Sequence, residues 1–222
     1  MRVLAIATHP DDETLGCGAT LLKHAAAGDE VHWLIMTTAH GGQWSEETAR
    51  RKAAEVDTVT RAYGFRSHRQ LELPAARLDT VAFDELIAPV REFVAAVRPE
   101  TVYVVHGGDV HSDHQITFDA VMSVVKPFHM GTLGVQRVLS YETLSSTDAA
   151  PVSAARTFLP TVFTDVSPYL ERKLDIMALY ETETQAEPMP RAPSAIRALA
   201  RYRGATINVE YAEAFMLIRE LT

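Results

Sequence analysis

Apolar residues gather in short runs separated by polar turns, and their spacing changes from run to run. Residues 3–8 read Val-Leu-Ala-Ile-Ala-Thr, apolar without alternation. That is the pattern of a strand covered on both faces. Residues 9–15 are polar and predict a turn. In 16–28, Ala19, Leu21, Leu22, Ala25 and Ala26 make a narrow apolar face, predicting a helix that Gly28-Asp29 ends. Residues 30–37 predict a second strand. A strand–helix–strand unit implies a parallel pair joined by a right-handed crossover.

Ser45 followed by Glu46 and Glu47 marks a helix start, with a side-chain cap and acidic residues in the first turn. The helix covers 45–63 and ends near Gly64. Leu71-Glu72-Leu73 predicts a short strand and 79–97 an amphipathic helix. The β-branched run Thr101–Val105 predicts a central strand. Helix over 113–126 and strand over 137–142 follow. The stretch 143–166 is less regular, with an antiparallel edge strand expected around 158–163. Residues 168–182 predict a helix, and 186–194, with Pro188, Pro190 and Pro193, a loop. Phe215–Ile218 fits strand or helix. The alternation predicts an α/β fold, a three-layer sandwich around a mostly parallel sheet, with residues 1–222 forming one domain.

Composition narrows the function classes. The 222 residues are 47% hydrophobic and 23% charged, an ordinary globular mixture. The net charge of −8 argues against a nucleic-acid partner held by phosphate contacts. A single cysteine, Cys17, excludes an intramolecular disulfide and suits a reducing compartment. The apolar run at the start is too short for a signal peptide, and no stretch approaches the ~20 apolar residues that span a bilayer. A cytoplasmic protein without a transmembrane segment is expected.

Two polar clusters carry candidate chemistry. His9-Pro10-Asp11-Asp12-Glu13 directly follows the first strand. In an open parallel sheet, ligands bind beyond the carboxyl ends of the strands. Pro10 favours a turn that lets His9 and Asp12 converge while Asp11 points elsewhere. Alone, such a segment reads as a polar loop whose aspartates cap the next helix. The second cluster changes that reading. His106-Gly107-Gly108-Asp109-Val110-His111-Ser112-Asp113-His114 follows the strand at 101–105. Three protein ligands and an open position characterise catalytic zinc sites. His9, Asp12 and a later histidine supply such a set. His114, at the start of the next helix, is held more firmly than His111 and is taken as the third ligand. Asp113 could then orient a neighbouring histidine. Two histidines and one carboxylate suit ferrous iron as well as zinc. Gly16-Cys17-Gly18 lacks the third glycine of a dinucleotide loop, Leu21 standing in its place. His24, His32, His68 and His129 read as surface or core residues. His40, Trp44 and the 186–194 loop are left open as pocket-lining elements.

These segments resemble the LmbE/PIG-L family of zinc-dependent N-acetylglucosaminyl deacetylases. The family patterns His-Pro-Asp-Asp-Glu and His-x-Asp-His stand here at 9–13 and 111–114 without substitution. The likeness extends to Arg51, Lys52 and Glu55 and to Tyr211-Ala212-Glu213-Ala214-Phe215. It implies a Rossmann-like α/β sandwich. It implies zinc on His9, Asp12 and His114, with Asp11 as general base. His111 would protonate the leaving amine or stabilise the oxyanion, and Asp113 would orient a histidine. Arg51 would contact substrate. Val110 stands where some members carry an arginine, so a substrate contact made there is missing or supplied elsewhere. The implied substrate is a small N-acyl amino sugar or glycoconjugate, and homo-oligomers occur among such proteins. Rival readings are an amidase for a sugar-linked thiol conjugate, a metal-free sugar-binding module, and a phosphoesterase. The last usually needs two metals and more carboxylates.

Overall fold

The computed structural model describes residues 1–39 and 44–222. His40 therefore lies outside the described residues. Seven strands form one sheet: β1 (Arg2–Ala7), β2 (Glu30–Thr38), β3 (Ser67–Pro74), β4 (Thr101–Val105), β5 (Arg137–Tyr141), β6 (Val162–Asp165) and β7 (Ala212–Glu220). Their spatial order is β3-β2-β1-β4-β5-β7-β6. The first five are mutually parallel; β7 runs antiparallel to both β5 and β6.

Seven helices are described: α1 (Asp12–Ala26), α2 (Glu46–Tyr63), α3 (Phe83–Val97), α4 (Ser112–Val124), α5 (Pro127–Leu133), α6 (Leu170–Met177) and α7 (Pro193–Ala205). The chain first winds outward, β1-α1-β2-α2-β3, then returns to the centre and continues the other way, β4-α4-β5. Right-handed crossovers in opposite directions put the two helix sets on opposite faces. Accordingly α1 packs with α2 and α6, while α3 packs with α4. This is why β1 and β4 are apolar without alternation: every residue of β4 is buried, as are five of the six in β1. β1 and β4 are neighbours, with Val3 opposite Thr101 and Ile6 opposite Val104. Strand order reverses between them, and a crevice opens at their carboxyl ends.

The structure moves several predicted boundaries. Helix α1 begins at Asp12, four residues before the expected start at 16, so the motif's last two carboxylates belong to its first turn. The two glycines in its first half are there for space. A Cβ on Gly16 would lie 2.0 Å from the Tyr141 ring, and one on Gly18 would lie 2.4 Å from Tyr63 Oη. The expected helix from 79 is a 3-10 turn, Leu78–Thr80, followed by α3 from Phe83. The expected edge strand near 158–163 is β6 at Val162–Asp165, and the helix expected over 168–182 is the shorter α6. The C-terminal segment is strand, not helix. Helices α5 and α7 were not anticipated. Pro193, read as part of a loop, occupies the first position of α7, where a missing N–H costs nothing.

A buried ion pair ties α1 to the last strand. Lys173 Nζ donates to Glu213 Oε1 at 2.7 Å and to the Leu15 carbonyl at 2.8 Å. The Glu213 carboxylate accepts from the main-chain N–H groups of Ala19 and Thr20, at 3.0 and 2.7 Å. This gives Glu213 of the Tyr211–Phe215 segment a structural task inside α1. No described helix is long and apolar enough to cross a membrane.

Candidate metal centre and cleft

The turn after β1 is drawn together by Asp12. Its Oδ2 accepts from the main-chain N–H of Thr8 at 3.1 Å and of His9 at 2.8 Å. That closure brings His9 Nδ1 to 3.7 Å from Asp12 Oδ2. Asp11 takes φ 118° and ψ −26°, a left-handed conformation rare for a residue with a Cβ. On the second loop, His111 caps α4: its Nδ1 accepts from Asp113 N at 3.2 Å. His114 then lies in the first turn of the helix, with Nε2 3.4 Å from Asp12 Oδ1. The donor atoms of His9, Asp12 and His114 lie within 4.8 Å of one another.

Carboxylates behind the histidines set their orientation. Asp113 Oδ2 is 3.2 Å from His9 Nε2, and the same carboxylate accepts from Ala76 N at 2.6 Å and Leu78 N at 3.1 Å. Asp109 Oδ2 is 3.2 Å from His114 Nδ1. Asp109 is held by Ser146 Oγ at 2.8 Å and Thr147 Oγ1 at 2.7 Å, and it accepts from His111 N at 2.8 Å. A histidine with one nitrogen towards a cation position and the other against a carboxylate is the usual outer-shell arrangement of metal sites. The alternative trio of His9, His111 and Asp113 also clusters. There the His9–Asp113 contact and the occupied Nδ1 of His111 already engage an atom of each of the three groups.

Charge in this centre follows from burial and pairing. Burial would push the His114 imidazolium down, but the Asp12 and Asp109 carboxylates outweigh it and hold it up to about 10. Burial would raise Asp12 as well; the His114 and His9 rings override this and hold it far below the usual carboxylate range. For Asp11, burial dominates and pushes the carboxyl well up, against the opposing pull of Arg191. His111 is lowered by burial and by the neighbouring His9 and His114 rings. The centre thus surrounds one position with two carboxylates that favour positive charge there, and a mixed N/O donor set of this kind suits a divalent metal.

The centre forms one wall of a cleft of about 250 Å³. Asp11, His111, Trp44 and Ser146 contribute to the lining. The rim carries charges not singled out from the sequence. Arg191 Nη1 lies 3.3 Å from Asp11 Oδ2 and also pairs with Glu183, which in turn pairs with Lys52. Arg191 is part of the proline-rich loop before α7, so that loop does shape the cleft. Arg51 does not line it: its side chain is 55% exposed and lies 3.4 Å from Glu181. The neighbouring Lys52 faces the cleft instead. His106 turns away, to the Arg156 carbonyl at 2.9 Å. His24 is engaged with Asp29 and Tyr103, and His32 with Ser67.

Fold and centre together define an α/β protein with a metal-competent His-Asp-His cluster at the switch point of its sheet. The family model for GlcNAc-PI de-N-acetylase, PIG-L, matches residues 4–125, and the chain belongs to that family. The match spans both clusters. The uncharacterized deacetylase YaiS of Escherichia coli (strain K12) is 28% identical over 174 residues, 74% of this chain and 81% of that protein. The diacetylchitobiose deacetylase of Thermococcus kodakarensis is 23% identical over 98% of this chain and 83% of that protein. Among solved structures, the 4-carboxy-2-hydroxymuconate hydratase GalB of Pseudomonas putida KT2440 superposes with a TM-score of 0.73 at 15% identity, covering 100% of this chain and 97% of that one. That likeness concerns the fold alone, and it shows that the fold does not by itself choose the reaction.

Proposed function

We propose that this chain is a zinc-dependent hydrolase that removes an N-acetyl group from a small amino sugar or glycoconjugate. The observation that carries the reading is the convergence of His9, Asp12 and His114 at a cleft that Asp11 also lines. The sugar deacetylases among its relatives support the substrate class. Ferrous iron suits the same donor set.

His9, Asp12 and His114 would hold the metal, with Asp113 and Asp109 fixing the two rings. When bound, the metal supplies Lewis acidity towards an amide carbonyl and towards water. Asp11, beside the ligands but not one of them, takes the proton from the attacking water. Because Nδ1 of His111 already accepts from Asp113 N, the neutral ring carries its proton on Nε2. His111 is thereby suited to donate a hydrogen bond to the oxyanion of the tetrahedral intermediate. The departing nitrogen is protonated before it leaves, with Asp11 returning the proton. Acetate and a free amine result.

The test is a panel of N-acetylated amino sugars scored for released primary amine, with the protein treated with chelator and then reloaded with zinc or iron. Release that chelator abolishes and metal restores is expected. Metal-independent release, or no release from any member, would remove this reading. Simple sugar binding by metal-free protein would favour a binding module.

A further inference from the structure

Glu13, the last carboxylate of the first motif, takes no part in the chemistry just described, yet it is fully enclosed, at 0% exposure. Its Oε1 accepts from Thr14 Oγ1 at 2.5 Å and from Tyr180 Oη at 2.7 Å. Its Oε2 accepts from the main-chain N–H of Asp11 at 3.3 Å. Thr14 gives its proton to Glu13, so at 2.9 Å it receives one from Tyr63 Oη. All of Glu13's partners are donors, and none is a group assigned to the metal.

Asp11 is the residue that needs holding. Its φ of 118° persists only if its surroundings over-determine it. Glu13 supplies one restraint directly. It supplies another through Tyr180, which opens the segment leading to Arg191. Thr182 N and Oγ1 donate to Glu55 at 2.9 and 2.6 Å, and Glu183 pairs with Lys52 and Arg191. Arg191 then reaches the Asp11 carboxylate. Glu13 therefore touches Asp11 from its main chain and, through this segment, from its side chain.

We propose that Glu13 is a positioning residue for Asp11. It holds the Asp11 main chain in its left-handed conformation and anchors the Arg191 segment beside it, so that the Asp11 carboxylate is presented to the cleft. The inference rests on reading Asp11 as the proton acceptor. What the place requires is a hydrogen-bond acceptor, not a charge. A glutamine keeps the main-chain restraint: its oxygen accepts from Asp11 N, while its amide meets the Thr14 and Tyr180 hydroxyls as a donor, so that their protons turn to other acceptors. A methionine of similar length offers Asp11 N no adequate acceptor and leaves buried donors unpaired.

Glu13→Gln and Glu13→Met are compared with the unaltered protein in three measurements. These are zinc affinity by competition with a chelating dye, kcat and KM for amine release, and the exchange rate of the Asp11 amide proton. Zinc affinity should stay within about threefold in both, since no proposed ligand bonds to the Glu13 side chain. Glu13→Gln should keep kcat within about threefold. Glu13→Met should lose kcat by roughly a hundredfold with KM little changed. Its Asp11 amide should exchange at least about tenfold faster. Unchanged exchange and kcat in Glu13→Met would overturn the proposal. So would a Glu13→Gln variant as impaired as Glu13→Met, because charge would then be the requirement. Amide exchange does not depend on turnover: if the unaltered protein releases no amine, the hydrolase reading falls while exchange still decides on Glu13. If Glu13→Met does not fold, Glu13→Gln decides, with unchanged exchange supporting the proposal and accelerated exchange overturning it.

Discussion

The two walls of the cleft are built differently. The metal wall comes from two loops that follow adjacent strands, and each side chain there has a second group behind it. His9 leans on Asp113, His114 on Asp109, and Asp12 on two main-chain N–H groups. The rim wall comes from α2 and the segment before α7, and its charges rest mainly on one another: Lys52 and Arg191 share Glu183. A wall with its own scaffolding can hold geometry to the tolerance that catalysis needs. A wall made of mutually paired, long side chains presents charged groups to whatever occupies the cleft. On the proposed reading, chemistry falls to the first wall and substrate contact to the second.

The comparison can be broken most decisively at a proposed ligand. His114→Ala should lose bound metal, and turnover with it; metal analysis showing a full complement would remove the ligand set. Asp11→Asn should keep its metal while kcat falls by about 10² to 10⁴, measured as amine release from the best substrate. Asp113→Asn leaves a weaker partner for His9 and should cost roughly 10- to 100-fold in metal affinity or activity. Dye competition and steady-state rates together report which of the two suffers. Smallest, Arg191→Ala removes the cation beside Asp11 together with a rim charge, so kcat and KM should each change by up to about tenfold, with metal content unchanged. An unchanged kcat in that variant would show that the Arg191 contact does not hold the Asp11 carboxylate. Arg51→Ala serves as the control, since its exposed pair with Glu181 predicts rates within about twofold.

The two walls also differ in how far the sequence discloses them. The metal wall is legible because its parts lie at short spacing after uniformly apolar strands; that β1 and β4 are neighbours is supplied by the sheet order, which the pattern alone does not imply. The rim is legible only in part: the 186–194 loop stands as a candidate from the sequence, but its arginine and Glu183 do not. Arg191 and Asp11 meet across most of the chain, and nothing local to a proline-rich segment marks its arginine as a cleft residue. Asp109 was counted in the second cluster, but its partners Ser146 and Thr147 come from an irregular stretch with no periodicity to place them. The position of Arg51 turns on helix phase: one residue decides between the cleft, taken by Lys52, and the solvent. The early start of α1 is hidden because its first turn is made of the polar residues that read as a turn.

The Glu213 carboxylate, bonded to N–H groups in the middle of α1, bears on the order of assembly. The partners Ala19 and Glu213 are separated by 194 positions. A chain emerging from the ribosome can form β1 and the turn carrying His9 and Asp12 early, but α1 gains its contact with Glu213 only when β7 arrives. Contacts of such long sequence separation form late and slow the search for the native state. Docking of β7 onto α1 therefore belongs among the last events of folding, after the elements that carry both motifs have been made.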